Sequence, residues 1–168
     1  MAARTSTEKL ETDAEREKVA EALKKCKLFQ DLEEEHIEML ATVFHEESHK
    51  VGEAIFRQGD LGRKLYVIEQ GQVLLERTLD MQPRVAKVAL TLLGKHRVMG
   101  CWACLVGELR DLRESAICQK PTKVLAAEGS ELVSVMEGNP RIALVLLKRL
   151  CFMLDERLHD CYCAIGSL

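Results

Sequence analysis

The stretch VGEAIFRQGDLGRKLYVIEQG, Val51 to Gly71, sets two strand-like runs on either side of a turn cluster. Ala54-Ile55-Phe56 and Lys64 to Ile68 are rich in β-branched and aromatic residues, and Gln58-Gly59-Asp60-Leu61-Gly62 between them is turn chemistry. Gly52, Gly59, Gly62 and Gly71 recur at about ten-residue spacing or less, as where short antiparallel strands turn repeatedly and the backbone needs positive φ. That rhythm predicts a jelly roll or barrel.

The same stretch carries a resemblance. Gly52, Glu53, Ile55, Phe56, Gly59, Asp60, Gly62, Tyr66, Ile68, Gly71 and Val73 stand in register with GExIFxxGDxGxxxYxIxxGxV, and in this the chain resembles the first half of the cyclic-nucleotide-binding domain. The likeness extends upstream to Leu28-Phe29-Gln30-Asp31-Leu32, downstream through Gly100, and in all over residues 22–160. It implies the fold more directly than it implies a ligand.

With 168 residues and 47% hydrophobic content the chain can fill one core. A net charge of −3 gives no sequence-wide electrostatic footprint for nucleic acid or an anionic membrane. No window approaches the roughly 20 apolar residues of a membrane span, and the N-terminus lacks a signal peptide's apolar centre. Seven cysteines lie mostly within hydrophobic segments, which fits reduced thiols and a cytoplasmic setting.

Residues 6–25 read as a helix opened by a Thr12–Glu15 capping box, and Asp31 with Glu34 repeats that spacing ahead of Ile37, Leu40, Ala41 and Phe44. From Glu46 to Glu128 the pattern predicts about eight antiparallel strands, with Asp80 to Arg84 as a hairpin tip. A short helix over Ser130 to Met136 follows. Asn139 then caps a long helix with Pro140 at its first position. The fold class expected is mainly β with flanking helices: an eight-stranded antiparallel β-barrel or jelly roll with N-terminal helices and a long C-terminal helix. The division expected is a helical lead-in at 1–45, the β-barrel at 46–128 with a lid at 99–116, and C-terminal helices at 129–168. Along the long helix Ile142, Leu146, Leu150, Met153 and Arg157 mark the face expected to pair with a second copy or another protein partner. Family dimers pair through this element, as the resemblance implies.

In the family the cyclic phosphate rests in a cassette similar to FGELALxxxxPRxAT, where backbone N–H groups and an Arg hold the anion and a Glu accepts the ribose hydroxyl. Met99-Gly100-Cys101-Trp102-Ala103-Cys104-Leu105 falls on its first positions, so Gly100 and Ala103 match while Cys101 replaces the Glu. A neutral thiol is a poor acceptor for a hydroxyl. Counting forward assigns the arginine to Arg110, counting back from Ser115 assigns it to Arg113, and Ala116 or Ser115 takes the capping position. Glu108, Asp111 and Glu114 interleave with these arginines, so the loop opposes an anion. Trp102 either fills the cavity, the reading favoured here, or stacks on a planar ligand.

The Cys101–Cys104 CxxC admits a thiol-redox or half-zinc reading, but no second pair completes a metal set. Haem near Cys101, Cys104 or His96 rests on analogy within the fold. His36, His45, His49 and His159 read as scattered surface or rim residues. No HxH metal motif and no nucleophile elbow appears, so enzyme, metal and nucleic-acid-binding roles are not expected. Nor is a DNA-reading domain expected after the long helix. The expected function is a stand-alone, non-catalytic regulatory or sensor module that does not bind cyclic AMP or cyclic GMP in the family manner and takes an unidentified small ligand. A ligand-free adaptor on the same fold, and a haem or thiol sensor, are the alternatives. No cofactor is required in any but the last.

Overall fold

Residues 13–166 are described by a computed structural model. α1 (Asp13–Lys24) buries Val19, Ala20, Ala22 and Leu23, and α2 (Glu34–Ala41) buries Ile37, Leu40 and Ala41. The chain between and after them clamps the pair: Phe29 meets Phe44 edge to face, ring centroids 5.9 Å apart. Residues 6–12 of the expected first helix, with Thr12 of its capping box, lie outside the described residues. The Asp31–Glu34 box does not form. α2 is entered through Glu33 with no side-chain cap, because Asp31 lies 3.0 Å from Nε of Arg149 and Glu34 2.6 Å from Lys24 Nζ. Each carboxylate has found a cation instead of a backbone N–H.

Among the described residues ten strands follow: β1 (His45–His49), β2 (Ala54–Phe56), β3 (Leu61–Gly62), β4 (Lys64–Gln70), β5 (Val73–Asp80), β6 (Val85–Leu93), β7 (Val98–Gly100), β8 (Arg110–Asp111), β9 (Ser115–Cys118) and β10 (Thr122–Glu128). One antiparallel sheet has the order β1-β10-β4-β7, the other β2-β9-β5-β6, and β3 pairs with β8 in a ladder of its own. The eight strands of the two sheets match those expected, within a few residues at the ends. β3 and β8 are additional, since two residues are too few to show an alternation. Both sheets keep open edges, so the architecture is a jelly roll of two facing sheets, a barrel only loosely.

β4 is buried on both faces, which is why Leu65-Tyr66-Val67-Ile68 reads as an unbroken apolar run. Tyr66 and Ile68, with Met99, Val124 and Ala126, face Phe56, Val73, Leu75, Leu93 and Ala116 of the second sheet. Leu65, Val67, Val98, Leu125 and Ala127 on the opposite face pack with the helices. β6 closes the second sheet as an edge strand and leaves Val85, Val88, Leu90 and Leu92 exposed.

α3 (Gly129–Gly138) leads to α4 (Pro140–Gly166). The cap is as expected: Oδ1 of Asn139 accepts from the N–H groups of Arg141 at 3.2 Å and Ile142 at 3.4 Å. The face assigned to a partner is corrected. Ile142, Leu146 and Leu150 are buried against the domain's own helices and first sheet, and Met153 packs partly beside them. Leu144, Cys151, Phe152, Leu154, Leu158 and Tyr162 point outward instead.

Candidate functional site

The lid begins where β7 ends. Gly100 has φ +105°, and a Cβ there would stand 2.6 Å from the carbonyl oxygen of Lys64, so only glycine turns the chain at this point. Cys101 N–H donates to that carbonyl at 3.1 Å, and a short 3-10 helix, Trp102–Val106, follows and closes on left-handed Gly107. Cys101 presses on Gly62 of β3, where an added Cβ would lie 2.6 Å from its own, and Cys104 presses in the same way on Gly129. Both thiols therefore sit in glycine sockets, within the core shared with the helices. Burial, with Cys101 and Glu128 adding to it, pushes the Cys104 thiol up to about 12. It stays protonated at neutral pH and is a weak nucleophile.

Arg110 lies in β8 opposite Gly62, with Asp111 opposite Leu61, and Arg113 lies in the turn before β9. Both arginines are exposed, and neither has a carboxylate partner among the described residues. Ser115 Oγ accepts from the Gln58 N–H at 2.9 Å and so ties the lid's end to the β2–β3 turn. Ala116 is fully buried between Phe56 and Leu75. Of the signature residues, Glu53 and Asp60 accept from the N–H groups of Lys50 and Arg57, at 2.7 and 2.8 Å, and build turns. Gly52, Gly59 and Gly71 hold positive φ at bends.

Trp102 does not fill the space between the sheets, as the sequence suggested. It is half-buried with Ala103 on the helical side, and its ring receives the Arg157 guanidinium 5.4 Å from the centroid. Phe56 and Tyr66, stacked at 5.8 Å, occupy the inter-sheet space with their apolar neighbours. Arg157, expected at a partner interface, thus joins the lid to α4. Arg149 joins α4 to the lead-in, its Nε 3.0 Å from both Asp31 and the Lys27 carbonyl, while Arg141 pairs with Glu33.

One polar cluster escaped the sequence reading. His45, Glu47 and His49 alternate along β1 and share its inward face beside Lys64 of β4. Glu47 Oε1 lies 3.0 Å from His45 Nε2 and 2.9 Å from Lys64 Nζ, and its Oε2 lies 3.5 Å from His49 Nε2. His45, then His49 and Lys64, hold the Glu47 carboxyl well below its usual range. His45 and His36 are buried, not surface residues. The period-two spacing His-x-Glu-x-His was the available signal. Another close group, Glu33, Glu35 and His36, brings ligand-type atoms within 4.8 Å of one another, but Glu33 already pairs with Arg141.

Comparison with known proteins places these features. Residues 46–139 match the family described as the cyclic nucleotide-binding domain. The chain is 30% identical over 139 residues to the cyclic AMP receptor protein of Thermus thermophilus, a match covering 82% of this chain and 60% of that protein. Two solved structures share the fold. A cyclic nucleotide-binding domain from Methylobacillus flagellatus has a TM-score of 0.75 at 20% identity, over 90% of this chain and 83% of that one. The N-terminal domain of a transcriptional regulator from Streptomyces coelicolor has a TM-score of 0.70 at 23% identity, over 83% and 94% of the two chains. No described helix is long and apolar enough to cross a membrane.

Proposed function

The chain belongs to the cyclic nucleotide-binding domain family, and we propose that within it this domain is a non-catalytic regulatory module whose lid does not hold a cyclic nucleotide in the family's way. Position 101 carries the reading. A buried thiol wedged on Gly62 stands where the family cassette, by the resemblance of the motif, presents a carboxylate to the ribose. The surroundings agree. Arg110 and Arg113 are exposed, Ser115 is engaged with Gln58, and Phe56 and Tyr66 stack in the inter-sheet space. Burial of Cys101 and Cys104 counts equally against a thiol or haem sensor at these positions.

In this reading residues 46–128 form the sensing body, the lid spans 99–116, and residues 129–168 relay its state. The relay is the Arg157–Trp102 contact, and its output is the outward face of α4, which takes a second copy of the chain. The free buried cysteines accord with a reducing, cytoplasmic setting. Thermal denaturation with 1 mM cyclic AMP, cyclic GMP or haemin tests the lid. A ligand at a hundredfold excess over its Kd adds about 2.7 kcal/mol to stability. The midpoint is expected to stay within 1 °C for each compound. A rise of several degrees with either cyclic nucleotide that is lost in Arg110→Gln or Arg113→Gln overturns the reading.

A further inference from the structure

Away from the inter-sheet space, three distant parts of the chain converge on a cavity of about 340 Å³. Lys27 comes from the α1–α2 connection, His96 and Arg97 from the β6–β7 turn, and Glu156, Arg157 and His159 from α4. Val98 and Met153 give it an apolar wall. Its three fixed cations face a single carboxylate, Glu156, which lies 3.7 Å from Lys27 Nζ. Arg97 has no carboxylate partner among the described residues, and Arg157 is held by an indole face in place of an anion. The turn that presents His96 and Arg97 is strained: His96 adopts φ +64°, and its Nδ1 is buried with no hydrogen-bond partner. Burial, then Lys95 and Lys25, lowers the pKa of His96, so its neutral form is favoured and the surplus of charge comes from the fixed cations.

We propose that this cavity binds a small phosphate monoester. A monoester is close to a dianion at neutral pH, which matches the two positive charges left after Glu156 is counted, whereas a cyclic phosphodiester carries one. Guanidinium forks at Arg97 and Arg157 suit its oxygens, and the Val98–Met153 wall suits an organic body. The site is independent of how the lid is read. Its occupation draws Arg157 away from Trp102, so a ligand here reaches the lid from outside the inter-sheet space.

Trp102 is the only tryptophan, so its emission reports the position of Arg157. The full chain is titrated with AMP, inorganic phosphate and cyclic AMP at constant ionic strength, following fluorescence and, in parallel, heat of binding. AMP is expected to bind saturably with Kd below about 1 mM, at least about tenfold tighter than cyclic AMP. Arg97→Gln and Lys27→Gln, exposed positions that do not touch Trp102, are each expected to weaken AMP about tenfold with the fold unchanged by circular dichroism. Arg110→Gln with Arg113→Gln is expected to change nothing. Inorganic phosphate binding as tightly as AMP keeps the anion site and removes the organic body from the assignment. Absence of saturable heat, AMP binding unaltered in both Arg97→Gln and Lys27→Gln, or its loss in the lid variant overturns the proposal.

Discussion

Glu47 shares one oxygen between the His45 imidazole and the Lys64 ammonium, inside the edge of the first sheet. Its folded-state pKa is depressed, so the unfolded chain binds its proton more readily and the carboxylate contributes stability at neutral pH. That contribution is complete above the ordinary glutamate range and is lost as pH falls below it toward the folded value. Glu47→Gln is expected to cost about 2 kcal/mol at pH 7, since a neutral amide replaces the carboxylate that Lys64 and His45 share in a half-buried place. Urea denaturation at pH 7 and at pH 3.5 checks this, and the gap between wild type and variant should shrink at the lower pH. A gap that is the same at both would mean that Glu47 acts by shape, not charge. At this scale the sequence was legible where a residue has one possible task. The turn glycines Gly52, Gly59 and Gly71 take the positive φ that their spacing predicted, while Gly62 does not and lies in β3 instead. Trp102 was not legible, because an aromatic residue in a lid can turn either way and only the arrival of Arg157, remote in sequence, decides it.

Helix α4 shows where element and face part company. Its start, cap and length follow from Asn139, Pro140 and the apolar repeat. Its orientation does not, because Ile142, Leu146 and Leu150 on one side and Leu144, Leu154 and Leu158 on the other are equally good stripes. What fixes the buried side is the set of anchors on the lead-in, Arg141 to Glu33 and Arg149 to Asp31, which no local pattern in the sequence announces. Leu146→Ala is expected to destabilise the domain by about 3 kcal/mol, as for a large core side chain that leaves a cavity. Leu144→Ala, on the exposed side, should stay within about 0.5 kcal/mol. Chemical denaturation of the two variants separates the faces, and equal losses would contradict the packing. The strands were legible in the same uneven manner: long runs such as β4 and β5 announced themselves, and the β3–β8 ladder, held by only two cross-strand pairs, Leu61 with Asp111 and Gly62 with Arg110, did not.

For the molecule as a whole, the outward side of α4 carries Leu144, Cys151, Leu154 and Leu158 at steps of seven, three and four, the spacing of a coiled-coil seam. Sedimentation velocity is expected to show a concentration-dependent dimer that Leu154→Glu with Leu158→Glu converts to a monomer without loss of helicity. A wild-type chain that stays monomeric at 100 µM would remove the second copy from the proposed relay. The opposite flank of the molecule has a different exposure. β6 offers Val88, Leu90 and Leu92 to solvent along a strand with no neighbour on its outer side among the described residues, and nothing in that run of Val85 to Leu93 except Lys87 carries a charge. Such an edge is a template for cross-β stacking: its N–H and C=O groups accept any extended segment, and its side chains reward an apolar one. Under conditions that loosen the sheets, aggregation should therefore nucleate at β6, with the sparing of this single strand by further charges as its natural remedy.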